Sequence, residues 1–153
     1  MKSFLSKYDA LIDDKGRVVL PSPLKKSMGE NLENVIIEKD FFKACLNIYR
    51  EDAWNEKIST IENQLNDGRG FDPLSEEDNE LIIILHENSA RASIAANGRI
   101  NIPDEHMKYA GIAREVVFVG AGKYIRLMDK DKYEEERQAR KPLNEILKER
   151  IKK

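Results

Sequence analysis

The stretch GRVVLP at residues 16–21 occurs a second time, as GRINIP, at residues 98–103. In each copy a glycine and an arginine precede alternating apolar residues, and a proline ends the run. Glycine adopts the positive φ that tight turns need, and proline lacks the N–H that a strand ladder uses. Each copy therefore predicts a turn followed by a short strand, and the pair predicts two similar structural units in one chain.

The correspondence between the two units continues beyond these stretches. Residues 11–12, 28–29, 35–36 and 46–48 match residues 93–94, 110–111, 117–118 and 125–127, in that order. Each unit has the pattern of a strand, a turn, a strand, a short helix, two strands and the start of a helix. A unit of roughly 45 residues buries little of its own sheet, so we expect the two units to interlock into one barrel with pseudo-twofold symmetry.

Polar residues indicate where three helices begin. Ser22 followed by Pro23 predicts the N-cap and the first residue of a short helix. Asp52 is expected to cap a longer helix, and Ser75 to cap a third helix that has acidic residues in its first turn. The run LIIIL that follows, at residues 81–85, suits either a helix or a buried strand.

Composition places the chain among globular proteins. Of its 153 residues, 41% are apolar and 35% are charged. No apolar run approaches the roughly 20 residues of a membrane span, and the first residues lack the apolar core of a signal peptide. Cys45 is the one cysteine, and its apolar neighbours indicate a core position. We therefore expect a cytoplasmic protein without a membrane partner.

Charge is distributed unevenly along a chain whose formal net charge is −2. Residues 1–29 contain six cations and three anions, whereas residues 62–80 contain seven anions and one cation. Local charge governs the binding of an anion more than the total does. We expect an anionic partner to contact the repeated stretches and not the middle of the chain.

The usual signatures of catalysis are missing from the sequence. His86 and His106 have no Cys or His partner at metal-ligand spacing. No nucleophile elbow, P-loop or dinucleotide fingerprint occurs, and the glycines of residues 120–122 fit a hairpin between strands. We therefore expect no enzymatic activity, no metal, no cofactor and no small-molecule substrate.

The first turn, DDKGR at residues 13–17, has side chains suited to binding an anion. One interpretation is that Asp13 and Arg17 form an exposed ion pair that only steadies the turn, worth at most about 1 kcal/mol. The other is that Arg17 and Lys15 contact phosphates or base edges, while Asp13 orients the arginine and Gly16 permits the turn. The residues alone leave both interpretations open.

Several short blocks follow one another along the chain. They are FL at 4–5, YD at 8–9, LIDDKGR at 11–17, LP at 20–21, CLNIY at 45–49 with Trp54, ANGRINIP at 96–103, YAGI at 109–112 and VVFVGAG at 116–122. Together these blocks resemble the MraZ family of bacterial proteins. The resemblance covers roughly residues 4–135, and the shared order of several distinct blocks makes it specific.

This resemblance implies a fold that is mainly β with short helices, in the α+β class. Two SpoVT/AbrB-like repeats, at residues 4–54 and 91–135, would interlock into a swapped-hairpin barrel. Residues 55–90 would form a helical connector, and residues 136–153 a C-terminal helical tail.

The resemblance also implies a function. Members of the family are sequence-specific transcriptional regulators of the division and cell-wall gene cluster. They bind direct repeats in promoter DNA and assemble into rings, so the implied partners are double-stranded DNA and further copies of the chain, at the nucleoid. The alternative is a ring-forming structural protein that does not recognise a DNA sequence.

Each family repeat carries an Asp-x-x-x-Arg motif for DNA binding. The first copy fits through Asp13 and Arg17, with Lys15 beside them, whereas the second keeps Gly98 and Arg99 but has Ala95 in place of the aspartate. Asn97 stands at the position of Lys15. The DNA-binding candidates are thus Lys15, Arg17 and Arg99, supported by Asp13, Gly16 and Gly98. Arg99 either no longer contacts DNA or contacts phosphate with less specificity.

The C-terminal residues have the pattern of one further helix. After Pro142, Leu143, Ile146, Leu147 and Ile151 recur at helical spacing. This pattern favours a surface helix that packs on a neighbouring element. The alternatives are a contact between copies of the chain and an accessory tail near DNA.

Overall fold

The computed structural model describes residues 2–151 of the chain. Within them, eight strands and six helices follow one another. In chain order they are β1 (Lys7–Leu11), β2 (Arg17–Val19), α1 (Ser22–Met28), β3 (Asn34–Lys39), β4 (Leu46–Tyr49), α2 (Glu51–Gln64), α3 (Glu76–Glu87), β5 (Ser89–Ser93), β6 (Arg99–Asn101), α4 (Asp104–Ala110), β7 (Glu115–Gly120), β8 (Ile125–Asp129), α5 (Lys130–Ala139) and α6 (Leu143–Arg150).

The order of elements repeats once. Two strands, a helix, two strands and a helix occur as β1, β2, α1, β3, β4, α2 and again as β5, β6, α4, β7, β8, α5. The predicted order is therefore confirmed, with α3 between the units and α6 after them. The expectation of a mainly β protein is wrong: the fold is mixed α and β, and more residues lie in helices than in strands. The helices α2, α3, α5 and α6 account for the difference.

The two units share one antiparallel sheet. Its strand order is β1-β7-β8-β4-β3-β5, and β2 and β6 form a separate two-stranded ribbon. Strand β1 pairs with β7 of the other unit, and β5 likewise pairs with β3. Exchanging each strand for its counterpart reverses this order, which is the same sheet read from its other edge, as pseudo-twofold symmetry requires. These ladders define a sheet and a ribbon and not one closed barrel, since β1 and β5 are the two edges of the sheet.

The strand register refines the correspondence between the units. Asn47 lies opposite Arg126 where β4 pairs with β8, so the predicted match of residues 46–48 with 125–127 is confirmed. The match of residues 35–36 with 117–118 is wrong by one position. Val35 lies opposite Ala92 and Val116 opposite Ala10, so Val35 corresponds to Val116. The cause is a connection one residue shorter between α4 and β7 than between α1 and β3.

Side chains on the two faces of the sheet enter different clusters because successive strand residues point to opposite sides. Val35 and Ile37 pack in the main core, together with residues of the ribbon, α1 and α4. Ile36, between them, packs on the other side with Trp54 of α2 and Leu85 of α3. Helix α5 covers the remaining part of that side with its own cluster. The ribbon, the sheet and the outer helices thus form three layers.

Two of the three predicted helix caps are wrong. Helix α1 begins at Ser22 itself, after Pro21, and α2 begins at Glu51 before Asp52; neither helix has a side-chain cap. Proline at residue 21 already fixes the backbone before α1, and the strand β4 ends so close to α2 that Asp52 falls in its first turn. The Ser75 cap is confirmed, because its hydroxyl accepts a 3.1 Å hydrogen bond from the Asp78 N–H. Residues 81–85 belong to α3.

His106 of α4 is a buried polar residue whose chemistry predicts acid sensitivity. Only 4% of it is exposed, and within residues 2–151 neither ring nitrogen has a hydrogen-bond partner. Burial, aided by Lys39, lowers the pKa of this imidazole, and the opposing effects of the Ile37 and Asn88 backbone do not cancel the shift. The folded chain therefore keeps His106 neutral at pH values where the unfolded chain has already protonated it.

Stability is accordingly expected to fall as the pH drops below about 6.5, the ordinary histidine value, because the unfolded state then binds the extra proton. As the pH falls toward the lowered pKa, His106 reduces the free energy of unfolding by up to about 1.4 kcal/mol for each pH unit. Urea unfolding at pH 7, 6 and 5 measures it. His106→Leu should flatten the slope. An equal slope in His106→Leu and the parent would contradict the expectation.

Candidate functional site

The two repeated stretches meet in the ribbon formed by β2 and β6. Arg17 lies opposite Asn101, Val18 opposite Ile100, and Val19 opposite Arg99. Val18 and Ile100 are buried, so alternation directs the other four side chains to the exposed face. The two arginines, from opposite strands, stand diagonally on this face with Cα atoms about 8 Å apart. The outer face of the ribbon is therefore made of Arg17, Val19, Arg99 and Asn101.

Backbone hydrogen bonds join the two turns across the ribbon. The Leu20 N–H donates to the Gly98 carbonyl at 2.9 Å, and the Ile102 N–H donates to the Gly16 carbonyl at 2.7 Å. Both glycines have positive φ, +83° for Gly16 and +91° for Gly98. A Cβ on Gly16 would lie 2.2 Å from the Ile102 carbonyl oxygen, so no other residue fits there without a backbone shift. Glycine thus permits both the turn and the contact between units.

Asp13 organises the first turn through three hydrogen bonds. One carboxylate oxygen accepts from the Lys15 N–H at 3.0 Å and from the Arg17 N–H at 2.9 Å. The other lies 2.6 Å from Nε of Arg17. The bond from the Arg17 backbone is the main cause that lowers the pKa of Asp13. Asp13 therefore both steadies the turn and fixes the start of the Arg17 guanidinium, an arrangement that both interpretations drawn from the sequence share.

The second turn keeps the backbone of the first without the aspartate. The Ala95 N–H donates to the Arg99 carbonyl at 2.9 Å, as the Asp13 N–H does to the Arg17 carbonyl at 3.1 Å. Asn97 supplies one of the missing bonds, because its Oδ1 accepts from the Arg99 N–H at 3.0 Å. Nothing in residues 2–151 bonds the Arg99 guanidinium. Arg99 is thus attached to an ordered turn, but in residues 2–151 its guanidinium lacks the restraint that Asp13 gives Arg17.

The surroundings of the two arginines differ in charge. A groove beside Arg17 is lined by Asp13 and by Arg114, whose carbonyl accepts from the Ile12 N–H at 2.9 Å. The groove beside Arg99 contains Arg91, but that guanidinium is held by Glu51 at 2.6 and 2.9 Å. Arg114 has no such partner within the described residues, but its groove also contains Asp13 and Asp14, so the Arg17 groove has both signs of charge, whereas the charged residues lining the Arg99 groove are both arginines.

Asn101 and Arg114 belong to this site, although neither was among the residues predicted from the sequence. Asn101 lies within the repeated stretch as an ordinary strand residue, and only the register with β2 brings it beside Arg17. Arg114 lies in the connection before β7, which reaches the first turn because β7 pairs with β1. The repeat itself is a signal for Asn101, since its position corresponds to Val19 on a strand whose alternate residues point outward.

The other groups singled out in the sequence lie away from the ribbon. Cys45 is buried, and burial raises the pKa of its thiol to about 11, so it is an unreactive core residue at neutral pH. His86 packs edge-on against Trp54. In the described part of the chain, no three His, Cys, Asp or Glu residues come together in a way that could hold a metal ion. None of the helices in residues 2–151 has the length and apolar character needed to cross a membrane.

Comparisons with known proteins agree with the arrangement of two turns. The family model described as "MraZ protein, putative antitoxin-like" matches residues 4–69 and 90–153, and each matched segment contains one turn and one ribbon strand.

Proteins named Transcriptional regulator MraZ are similar to this chain. The relative from Parvibaculum lavamentivorans is 34% identical over 139 residues, covering 87% of this chain and 80% of the relative. The relative from Dictyoglomus thermophilum is 31% identical over 132 residues, covering 86% and 83%. The relative from Christiangramia forsetii is 29% identical over 136 residues, covering 88% and 83%. Because the family model matches most of the chain, and relatives at this identity align over most of their own length, the chain belongs to the MraZ family.

Proposed function

We infer that this protein is a transcriptional regulator that binds double-stranded DNA through the outer face of the β2–β6 ribbon. The observation that carries the proposal is that two arginines from separate units share one exposed ribbon face, on turns fixed by each other's backbone. The major groove of DNA is wide enough to admit a two-stranded ribbon. The names of the relatives describe transcriptional regulators and no enzymes, which supports a role of this kind.

Each candidate residue has a distinct role under this proposal. Arg17, held at Nε by Asp13, extends its terminal nitrogens toward a guanine edge, which the fork of a guanidinium matches. Lys15 at the tip of the turn contacts phosphate, as an exposed ammonium does. Arg99, which no acidic residue restrains within the described part of the chain, contributes a phosphate contact with less specificity. Gly16 and Gly98 allow the two turns to approach closely enough to act as one surface.

The two ends of the ribbon carry different chemistry. Asn101 stands beside Arg17, whereas Val19 stands beside Arg99. Asparagine pairs with the edge of adenine, and an apolar side chain contacts the methyl group of thymine. A ribbon with identical ends would favour a palindrome. Because these ends differ, the preferred sequence is asymmetric, which suits sites arranged as direct repeats.

The domain organisation is part of the proposal. Residues 4–54 and 91–135 are taken as SpoVT/AbrB-like repeats of swapped-hairpin type, with a connector at residues 55–90 and a tail at residues 136–153. The exchange of first strands between the units supports this organisation. In this arrangement each ribbon strand leaves its own unit to pair with its counterpart.

One ribbon provides only a few contacts with phosphate, and so few contacts give weak binding at physiological salt. We therefore include a ring-like homo-oligomer, whose ribbons bind successive direct repeats in the promoter of the division and cell-wall gene cluster. Several linked contacts raise the effective affinity by about 10²- to 10⁴-fold without new interactions. This places the proposed activity at the nucleoid.

Fluorescence anisotropy with the DNA upstream of the protein's own gene tests the proposal. A scrambled duplex of equal length and composition is the control, and both are titrated from about 50 to 200 mM salt, over which phosphate-dependent affinity falls steeply. The expected result is tighter binding to the upstream DNA and a linear fall of log affinity with log salt. Equal, weak binding to both duplexes would favour a ring-forming structural protein instead.

Asn101 offers a separate prediction about specificity. Asn101→Ala should remove discrimination at one base pair of the site, by about 5- to 150-fold, because a bidentate contact with a base contributes about 1–3 kcal/mol. Binding to scrambled DNA should stay unchanged, since phosphate contacts are untouched. The measurement is anisotropy against a panel of duplexes with single base-pair changes. Asn55→Ala, on the exposed side of α2, is the matched control, and an unchanged preference in Asn101→Ala would exclude this role.

A further inference from the structure

Within the described residues, the C-terminal helix α6 buries none of its side chains against its own chain. Leu143, Ile146 and Leu147 recur at positions i, i+3 and i+4, with Ile151 one turn further, so they form one apolar face. The exposed fraction is 71% for Leu143 and 46% for Leu147. A helix of eight residues is marginal in water without tertiary packing, so this face calls for a partner surface.

An apolar groove of matching character lies between α2, α3 and α4. It has a volume of about 530 Å³ and is lined mainly by Phe41, Ile61, Leu81, Ile84, Leu85 and Tyr109. Half of Ile84 is exposed at its edge. Grooves of this kind accept the apolar face of an amphipathic helix, with side chains at i, i+3 and i+4 as anchors.

The charges beside the two surfaces are opposite. Glu76, Glu77 and Glu80 of α3 lie next to Leu81 and Ile84, at the acidic end of the groove. Residues 62–80 contain seven anions and one cation, whereas the segment that carries α6, residues 137–153, contains seven cations and two anions. Helix α6 itself has two of each, so the excess of positive charge lies on either side of it. The three glutamates form no ion pair within residues 2–151, and Lys148 and Arg150 of α6 are likewise unpaired there. Complementary charge of this kind guides association and selects the partner.

We propose that α6 of one copy of this chain docks, apolar face inward, in the α2–α3 groove of a second copy. The occupant is a second copy because the basic segment that carries α6 and the acidic, apolar groove belong to the same sequence, and within residues 2–151 the helix does not fill its own groove. Each copy then offers one helix and one groove, which makes the contact head-to-tail, and such contacts close into rings when the rotation permits. The inference rests on the self-association proposed above and names the surfaces that produce it.

Two exposed positions allow each surface to be disabled without touching the core. Leu147→Glu places a charge in the apolar face of α6, and Ile84→Glu places one at the groove. Ile83→Glu is a matched control, because Ile83 is similarly exposed on α3 and does not line the groove. Sedimentation velocity should give an oligomer for the parent and for Ile83→Glu, and a single chain for each of the other two variants.

Mixing the two disabled variants in equal amounts gives the decisive readout. Leu147→Glu retains a working groove and Ile84→Glu retains a working helix, so one interface forms and growth stops at a dimer.

Both variants should still bind a single direct repeat with the affinity of one parental ribbon, while losing about 100-fold in affinity for the full promoter through lost multivalency. Parental mass in either variant, or no dimer on mixing, overturns the docking of α6 while leaving the proposed DNA binding intact. A parent that is itself a single chain removes the proposed self-association as well. If the parent does not bind a single direct repeat, the proposed DNA binding is contradicted, and the docking of α6 is not.

Discussion

Replacing Arg17 by alanine is expected to lower affinity for the upstream DNA by more than about 100-fold, while Arg99→Ala lowers it by about 3- to 10-fold. A bidentate contact between arginine and guanine contributes about 1–3 kcal/mol, and every subunit of an oligomer loses it at once. The bond from Arg17 Nε to Asp13 at 2.6 Å orients the guanidinium before DNA arrives. Arg99 has no such restraint within the described residues, so a phosphate contact is the most it can offer. Anisotropy at one fixed salt concentration measures both variants.

The control for this comparison is Arg69→Ala. Arg69 is an exposed arginine in the connection between α2 and α3, remote in sequence from both turns, and its replacement removes the same charge. It should leave affinity within a factor of about two, since one distant charge is screened over a Debye length of about 10 Å. Equal losses in Arg17→Ala and Arg99→Ala would contradict the unequal roles of the two turns.

Gly16→Ala is expected to destabilise the folded chain by about 3–5 kcal/mol, a large effect for the addition of a single methyl group. The new Cβ would lie 2.2 Å from the Ile102 carbonyl oxygen, and the residue would have to keep a φ of +83°. Relief requires the two turns to separate, which breaks the 2.7 Å bond from the Ile102 N–H to the Gly16 carbonyl. Urea unfolding followed by circular dichroism measures the loss.

Two other glycines distinguish the cost of the steric contact at Gly16 from the cost of its positive φ. Gly68 has a φ of +86°, and a Cβ added to it would meet nothing within 4 Å, so Gly68→Ala should cost only the conformational penalty of about 1 kcal/mol. Gly98 has a φ of +91° with its closest contact at 3.1 Å, so Gly98→Ala should fall between the two. A loss in Gly16→Ala no greater than that in Gly68→Ala would mean that the turns do not cross as described.

Local chemistry made the order of elements predictable from the sequence. The glycines at residues 16 and 98, the proline that follows each strand and the alternation of apolar residues act within a few positions, so they identify turns and strands directly. Ser75 is likewise predictable as a cap. The starts of α1 and α2 are not, because Pro21 and the short connection after β4 decide where those helices begin.

Local sequence patterns do not predict which strands pair between the units. Whether β2 pairs with β1 or with β6 depends on contacts about eighty residues apart, and the same glycine-arginine turn fits both. Asn101 and Arg114 become neighbours of the first turn only through that pairing. The sequence aligns Asn97 with Lys15. In the structure, the Asn97 side chain instead resembles Asp13, because it accepts a hydrogen bond from the Arg99 N–H.

Dimethyl sulfate footprinting of the upstream DNA tests the central claim most directly, because the reagent methylates N7 of guanine in the major groove. If the outer face of the ribbon enters that groove and Arg17 contacts a guanine edge, the parent should protect one guanine in each direct repeat. Arg17→Ala, at concentrations that saturate the DNA, should lose that protection while Arg99→Ala keeps it. Full protection with Arg17→Ala, or no protection of guanine N7 by the parent at saturation, would contradict the proposed role of Arg17.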